Sequence, residues 1–540
     1  MLLNWLYFSL TCLFFKSPKS YFSSYKVVSF HARVFCRKSL RIALTPVRGR
    51  IILIINMNRR DFLKNCAAAA NGLALSNCIF AAGCTSSDGS AQDNIHRKSP
   101  NIVFIYIDDM GWRDVGFMGS QYYETPNIDR LSSQAMVFTN AYANAPNCAP
   151  SRACLLSGWY GPRHGVYTVG TSSRGQSKLR KLIPIENNTI LDSKIVTIVE
   201  AIKPAGYVSA SIGKWHLGDD PQFGPIGQGF DINIGGYSAG NPVKGYFVPY
   251  DNPELPDGPP GEYLTDRLTD EALKFIDANK DKPFFLYLPH YAVHTPLQAK
   301  QELIDKYKKK AGSNGQNNPK YAAMIESTDQ GVGRIIDKLD ELGLSDNTIV
   351  FFFSDNGGVK GITSNQPLRG GKGMLYEGGI REPMFVRWPG VVKPGTTCDT
   401  PVIGIDMYPT ILEMTGVGKP KEKLLDGLSI VPLLKGQKSL NRKALFWHFP
   451  AYLQGKAEGA RDPHFRTRPA AAVRMGDFKL IEYFEDGVLE LYNLKEDISE
   501  RNNLAKIMPE KTTELHNVMI AWRKKVNAPV PIKLNPDYDP

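Results

Sequence analysis

The sequence predicts an α/β fold: a large mixed, mostly parallel sheet sandwiched by helices, with a small C-terminal antiparallel-sheet subdomain packed by a helix. Three observations carry this. Apolar runs at 102–107 and 348–353 are continuous rather than alternating, as expected of strands buried on both faces. Helical patterns near 127–136, 193–204, 264–278 and 319–342 supply the crossovers that parallel strands need. After Asp426-Gly427 the texture changes to short alternating strands at 471–473, 478–483 and 488–492, followed by an amphipathic helix over 509–526.

Four predicted strands end in polar clusters. Residues 102–107 lead into Asp108-Asp109, and 207–212 into Gly213-Lys214-Trp215-His216. Residues 284–288 lead into Pro289-His290-Tyr291-Ala292-Val293-His294, and 348–353 into Ser354-Asp355-Asn356-Gly357. Ligands of open α/β sheets bind beyond the carboxyl ends of the strands, so these clusters are expected to converge on one pocket. Asp108, Asp109, Asp355 and Asn356 form an all-oxygen set, which suits Ca²⁺, with Mg²⁺ as the alternative, better than zinc with its His and Cys ligands. Either pair alone reads more readily as a helix cap or a solvated turn.

Composition narrows the function classes. The 540 residues are 42% apolar, 11% aromatic and 22% charged, which excludes a disordered, collagen-like or multi-pass membrane chain. Residues 1–64 hold 12 of the 65 basic residues and one acid, Asp61, and so carry +11 of the formal +12. The remainder is close to neutral, and the global argument for a nucleic-acid partner falls away. Cys12, Cys36, Cys66, Cys78 and Cys84 lie early and Cys148, Cys154 and Cys398 in the body, which is neither a disulfide framework nor a zinc pattern.

The first hundred residues read as an address. From Met57 the run Asn58-Arg59-Arg60-Asp61-Phe62-Leu63-Lys64, followed by an Ala-rich apolar stretch, resembles a twin-arginine export signal. Ala81-Ala82-Gly83-Cys84 is similar to a lipoprotein cleavage box, with Ala81 where Leu is commoner; lipidation of Cys84 and ordinary cleavage after small residues both remain open. The expected organisation is an over-extended start or leader at 1–56, the export signal and tether at 57–98, a catalytic domain at 99–425 and a C-terminal α+β subdomain at 426–540. The expected location is bacterial and exported, in the periplasm or on a lipid anchor, reached through the twin-arginine machinery.

The segment Cys148-Ala149-Pro150-Ser151-Arg152-Ala153-Cys154-Leu155-Leu156-Ser157-Gly158 resembles the type I sulfatases of the alkaline phosphatase superfamily, whose Cys-x-Pro-Ser-Arg signature marks a cysteine oxidised to formylglycine. Ser157 stands where Thr is commoner. Similar pieces follow in order over roughly 99–505: Asp108-Asp109-Met110-Gly111, Thr125-Pro126-Asn127-Ile128-Asp129, Gly213-Lys214-Trp215-His216-Leu217-Gly218, His294-Thr295-Pro296-Leu297, Ser354-Asp355-Asn356-Gly357 and Arg369-Gly370-Gly371-Lys372-Gly373.

The resemblance implies a set of roles. Cys148, converted by a formylglycine-generating maturation enzyme and hydrated, offers one hydroxyl to attack sulfur and a second to expel sulfate. It would share the cation with Asp108, Asp109, Asp355 and Asn356. Arg152 would orient the diol, Lys214 and Lys372 contact sulfate, His216 act as base and His294 protonate the departing alcohol. Pro150 and Ser151 suggest a helix opening just after Cys148, its positive end toward the anionic ester. His290 is expected outside the reacting shell. His448 either reaches the pocket from the C-terminal subdomain or simply packs. Arg174, Lys178, Arg180 and Lys181 either contact further sulfates of a polymer or form a solvated basic loop. By analogy with secreted bacterial sulfatases the substrate is a sulfated carbohydrate. The runner-up readings are a formylglycine-dependent phosphonate or phosphodiester hydrolase and a non-catalytic carbohydrate-binding lipoprotein.

Overall fold

The computed structural model describes residues 42–47, 50–55 and 99–539. The export-signal reading at 57–98, with Arg59, Arg60 and Cys84, lies outside them. Two compact units divide the chain, Met1–Asn94 and Ile95–Pro540. In the first, strands Ile42–Val47 and Arg50–Ile55 pair antiparallel. Among the described residues no helix is long and apolar enough to cross a membrane.

The second unit is built on an eight-stranded sheet. Its strands are β1 (Asn101–Ile107), β2 (Met136–Phe138), β3 (Val208–Ile212), β4 (Ile232–Ile234), β5 (Phe284–Pro289), β6 (Thr348–Ser354), β7 (Met384–Arg387) and β8 (Thr396–Cys398). Across the sheet they run β8-β2-β7-β6-β1-β5-β3-β4. Only β7 runs antiparallel to its neighbours, β2 and β6.

Because β1 is buried along its whole length, its alternating side chains feed two cores. Val103, Ile105 and Ile107 face one core, shared with Leu268 and Ala272 of helix α3 (Leu264–Ala278) and Ile325 and Val332 of helix α4 (Pro319–Glu341). Ile102, Phe104 and Tyr106 face the other, shared with Ala149, Ala153 and Leu156 of helix α2 (Cys148–Ser157). This two-sided burial is why the apolar run shows no alternation.

The predicted crossover near 127–136 is shorter. Helix α1 spans Pro126–Ser132, and the residues after it become β2 instead. The Thr125-Pro126-Asn127-Ile128-Asp129 motif is structural. Asp129 accepts from Phe117 N at 2.8 Å and Thr125 Oγ1 at 3.0 Å, while Asp329 of α4 accepts from Ile128 N at 2.8 Å and Asn127 Nδ2 at 2.8 Å. The helical pattern at 193–204 resolves into Ile198–Ile202, opened by a Thr197–Glu200 capping box, and a 3₁₀ turn at Lys203–Ala205 where Pro204 cannot continue the α-helix.

The C-terminal sheet is antiparallel and four-stranded, in the order β9 (Leu445–Phe449), β10 (Ala470–Met475), β11 (Phe478–Tyr483) and β12 (Leu489–Asn493). Leu515 and Met519 of helix α5 (Pro509–Val526) pack against Ala471, Val473, Leu480 and Leu491. On the other side, buried Lys479 reaches Glu377 and Glu500, each at 2.9 Å.

Candidate active site

Parallel register brings the acidic strand ends together. Ile107 lies opposite Ser354, so Asp108 and Asp355 emerge side by side from β1 and β6. Tyr106 lies opposite Pro289 at the end of β5, and Lys214 N donates to Pro289 O at 2.7 Å, which draws the β3 end to the same place. Gly213 allows that approach: it sits at φ +124°, and a Cβ there would lie 2.2 Å from Pro289 O. Helix α2 lies with its first residue, Cys148, facing these strand ends, so the helix opens on the cysteine rather than after it.

Carboxylates and cations interlock at the centre. Lys214 pairs with Asp108, Lys372 with Asp109 at 2.6 Å, and Arg152 with Asp355 at 2.7 Å. Arg152 stands one turn after Cys148; its guanidinium donates to Asp355 Oδ2 through both Nε and Nη2, and to Lys214 O at 3.0 Å. It therefore fixes a carboxylate and the lysine loop. Asn356 Nδ2 donates to Asp109 Oδ1 at 2.7 Å. Cys148 Sγ lies 3.4 Å from His216 Nδ1, and His294 Nε2 lies 3.6 Å from Asp109 Oδ2. His294 Nδ1 sits 2.7 Å from Thr295 O, which can only accept, so Nδ1 carries the proton and Nε2 is left facing the carboxylates. Asp109 and His216 both hold left-handed backbone conformations, φ 63° and 67°. Tyr321 OH, donating to Asp109 O at 3.0 Å, and Tyr237 O, accepting from His216 N at 2.9 Å, hold them there.

Titration follows from burial and neighbouring charge. Burial pushes Asp108 up against the pull of Lys214, whereas at Asp109 the cations Lys372, His294 and Lys214 outweigh burial and hold it well below the carboxylate range. Asp355 is raised to about 6 by burial and Asp108 despite Arg152. Burial, then Lys214, Arg152 and Lys372, keep His216 neutral; burial and Lys372 push His294 down to about 4. Burial also raises the Cys148 thiol.

A cation fits this cradle. Asp108 Oδ1 and Asn356 Oδ1 are buried acceptors without a partner, and both are oxygens, the ligand atoms that a hard divalent cation prefers. Asp108, Asp109 and His294 also bring one ligand atom each within 4.8 Å of one another, so a nitrogen the sequence reading assigned to acid chemistry borders the cradle.

Above it opens a cleft of about 260 Å³, walled by Cys148, His216, His294 and Lys372 together with Arg174, Asn241 and Arg466. The last two were missed in the sequence because they belong to no motif. Arg466 had one available signal, its place between Phe465 and Thr467, two residue types that favour strands. The basic stretch divides: Arg174 lines the cleft, whereas Lys181 binds Glu485 O at 3.0 Å and Lys178 is exposed. His448 does not reach the cleft. Its Nε2 donates to Pro529 O at 2.8 Å and its ring packs against Tyr167 and Trp522. His290 is fully buried, is pushed down to about 4 by that burial and does not line the cleft.

Residues 100–417 match the family model described as sulfatase, and residues 371–525 match that of the C-terminal part of N-sulphoglucosamine sulphohydrolase. A protein of Formosa agariphila described as a sulfatase is 35% identical over 507 residues, covering 81% of this chain and 90% of its own. Human N-acetylgalactosamine-6-sulfatase is 34% identical, with 68% and 72% covered. The crystal structure of Ps i-CgsB in complex with k-i-k-neocarrahexaose superimposes with a TM-score of 0.66 at 30% identity, covering 79% of this chain and 93% of that one. Fold and comparisons thus place the chain among the α/β enzymes of the alkaline phosphatase superfamily. Within it, the chain belongs to the type I sulfatase family and is a sulfatase.

Proposed function

We propose that this sulfatase is exported and removes sulfate from carbohydrate esters, with residue 148 matured to formylglycine and Ca²⁺, or alternatively Mg²⁺, held by Asp108, Asp109, Asp355, Asn356 and residue 148. The observation that carries the reading is the meeting of Cys148, His216, His294 and Lys372 on one cleft over oxygen acceptors that lack partners. A divalent cation bound there supplies Lewis-acid polarisation of a sulfate oxygen, and the hydrated aldehyde supplies the attacking hydroxyl. Arg152 is a positioning residue that holds Asp355 and the Lys214 carbonyl. Lys214 and Lys372 place ammonium groups beside the cradle, where they stabilise negative charge developing on sulfate. His216, neutral and next to residue 148, is set to accept a proton. His294 turns Nε2 toward the carboxylates at the cleft, and a sulfate anion beside Lys372 works against the burial and the Lys372 repulsion that otherwise keep this imidazole unprotonated.

The relatives' names support a sugar substrate: one is human N-acetylgalactosamine-6-sulfatase, and Ps i-CgsB is described in complex with k-i-k-neocarrahexaose. The expected result is sulfate release from N-acetylgalactosamine 6-sulfate or carrageenan oligosaccharides. It should be lost on chelation and restored by Ca²⁺, with the cation raising Tm by about 3 °C at a hundredfold excess over Kd. Cleavage of a phosphonate ester but of no sulfate ester would transfer the reading to the phosphonate hydrolases. An unshifted Tm with both Ca²⁺ and Mg²⁺ would remove the metal.

Export is proposed from Arg59 and Arg60, and anchoring from Cys84. The double variant Arg59→Lys, Arg60→Lys should retain the protein in the cytoplasm, and palmitate labelling should vanish in Cys84→Ala. Unchanged fractionation of the double variant would contradict the export route, and a soluble periplasmic protein beginning after Cys84 the anchor.

A further inference from the structure

We infer that Arg466 and Arg174 form a subsite for a second anionic group on the sugar, so that the cleft selects a saccharide carrying a further sulfate or carboxylate beside the ester to be cleaved. The inference rests on the sulfatase reading of the cleft. Both guanidinium side chains line the cleft that holds Cys148 and Lys372. The arginines flanking Arg466 are spent on carboxylates: Arg461 pairs with Asp486, and Arg468 with Asp462 and Glu485. Arg466 has no carboxylate partner among the described residues. Its one hydrogen bond runs from Nη1 to Lys372 O at 3.3 Å, and its Nε is buried without an acceptor.

A half-buried guanidinium with no carboxylate partner and a buried, unpaired Nε is costly, and here a second guanidinium stands nearby. Burial and Arg174 together lower the affinity of Arg466 for its proton, against the pull of Asp109. An oxyanion between the two would relieve both costs, and the planar fork of arginine matches the paired oxygens of sulfate or carboxylate.

The fold builds this position. Residues Phe465–Thr467 pair antiparallel with Leu453–Gln454. Phe465 and Thr467 are buried, which leaves Arg466 as the residue turned to the other side. Gly373, next to Lys372, sits at φ +88°, and a Cβ there would come within 2.6 Å of Arg466 Cδ. The glycine after the sulfate-contact lysine thus makes room for the arginine stem.

Binding is read by calorimetry in the Cys148→Ala background with three probes: N-acetylgalactosamine 6-sulfate, its 4,6-disulfate, and a disaccharide of glucuronate with N-acetylgalactosamine 6-sulfate. Arg466→Ala should weaken at least one doubly charged probe by about 30-fold and the monosulfate by less than about 3-fold, the range expected for a charged hydrogen bond. The doubly charged probe that loses more identifies the second anion as sulfate or carboxylate. In active enzyme, the kcat/KM ratio of that probe over the monosulfate should fall by a similar factor, with Arg466→Lys recovering part of it. Equal losses on all probes, the result if Arg466 only props Lys372 through its carbonyl, would overturn the subsite. So would a parent protein that binds the doubly charged probes no better than the monosulfate. Selective binding without hydrolysis of any sulfate ester would sink the activity reading and leave the subsite standing.

Discussion

Replacing Cys148 by Ala should lower turnover of every sulfate ester on the order of 10⁵-fold, because the nucleophile itself is removed. Cys148→Ser should fall nearly as far, since a single hydroxyl cannot both hold sulfur and expel it. The local electrostatics explain why the unmodified thiol is no substitute: burial raises it and Asp108 and Asp355 add to that, outweighing Lys214 and Lys372, so the thiolate is scarce. In protein made with a maturation enzyme, the tryptic peptide spanning residue 148 should weigh about 18 Da less than the thiol form, the difference between CH₂SH and CHO. Full activity from protein that carries only the thiol would remove the aldehyde from the mechanism.

The parts legible in the sequence were those where one local rule decides the outcome. Helices at 264–278 and 509–526 coincide with the structure because a long amphipathic period and clear ends admit no alternative. The buried strands at 102–107 and 348–353 were visible because both faces are apolar, and their register then aligns Asp108 with Asp355 without further information. What stayed hidden is set by tertiary pairing. The two or three ladder pairs that hold β2, β4 and β8 leave almost no periodicity to read, and β9 was obscured because its Leu-Phe-Trp-His-Phe run is apolar on nearly every residue. The cleft shows the same division. Residues within motifs could be named, whereas Arg466, on a three-residue strand, and Asn241, in a loop, have neighbours in space that are remote in sequence. At His448 the sequence left two readings open, and the structure takes the packing one: the residue lies in β9 with its Nε2 bonded to Pro529 O.

The two histidines should fail in different ways, although both border the same cleft. If His294 protonates the departing alcohol, His294→Ala should cost about 10²- to 10⁴-fold on sugar sulfates and less than about tenfold on an activated aryl sulfate, whose phenolate leaves without help. The geometry favours this assignment: Nδ1 is committed to Thr295 O, so Nε2 can face a leaving oxygen, while Asp109 at 3.6 Å and a bound sulfate favour the protonated form. His216 lies instead beside residue 148, 3.4 Å from Sγ, and is kept neutral by burial and three cations. His216→Ala should therefore leave alcohol release intact for one turnover and stall before sulfate departs, giving a burst of alcohol stoichiometric with enzyme. No burst should appear for His294→Ala with sugar substrates, because its block comes earlier. An equal loss across leaving groups in His294→Ala would reverse the assignment of the acid, and a His216→Ala enzyme that slows without a burst would remove the base from the second half of the reaction.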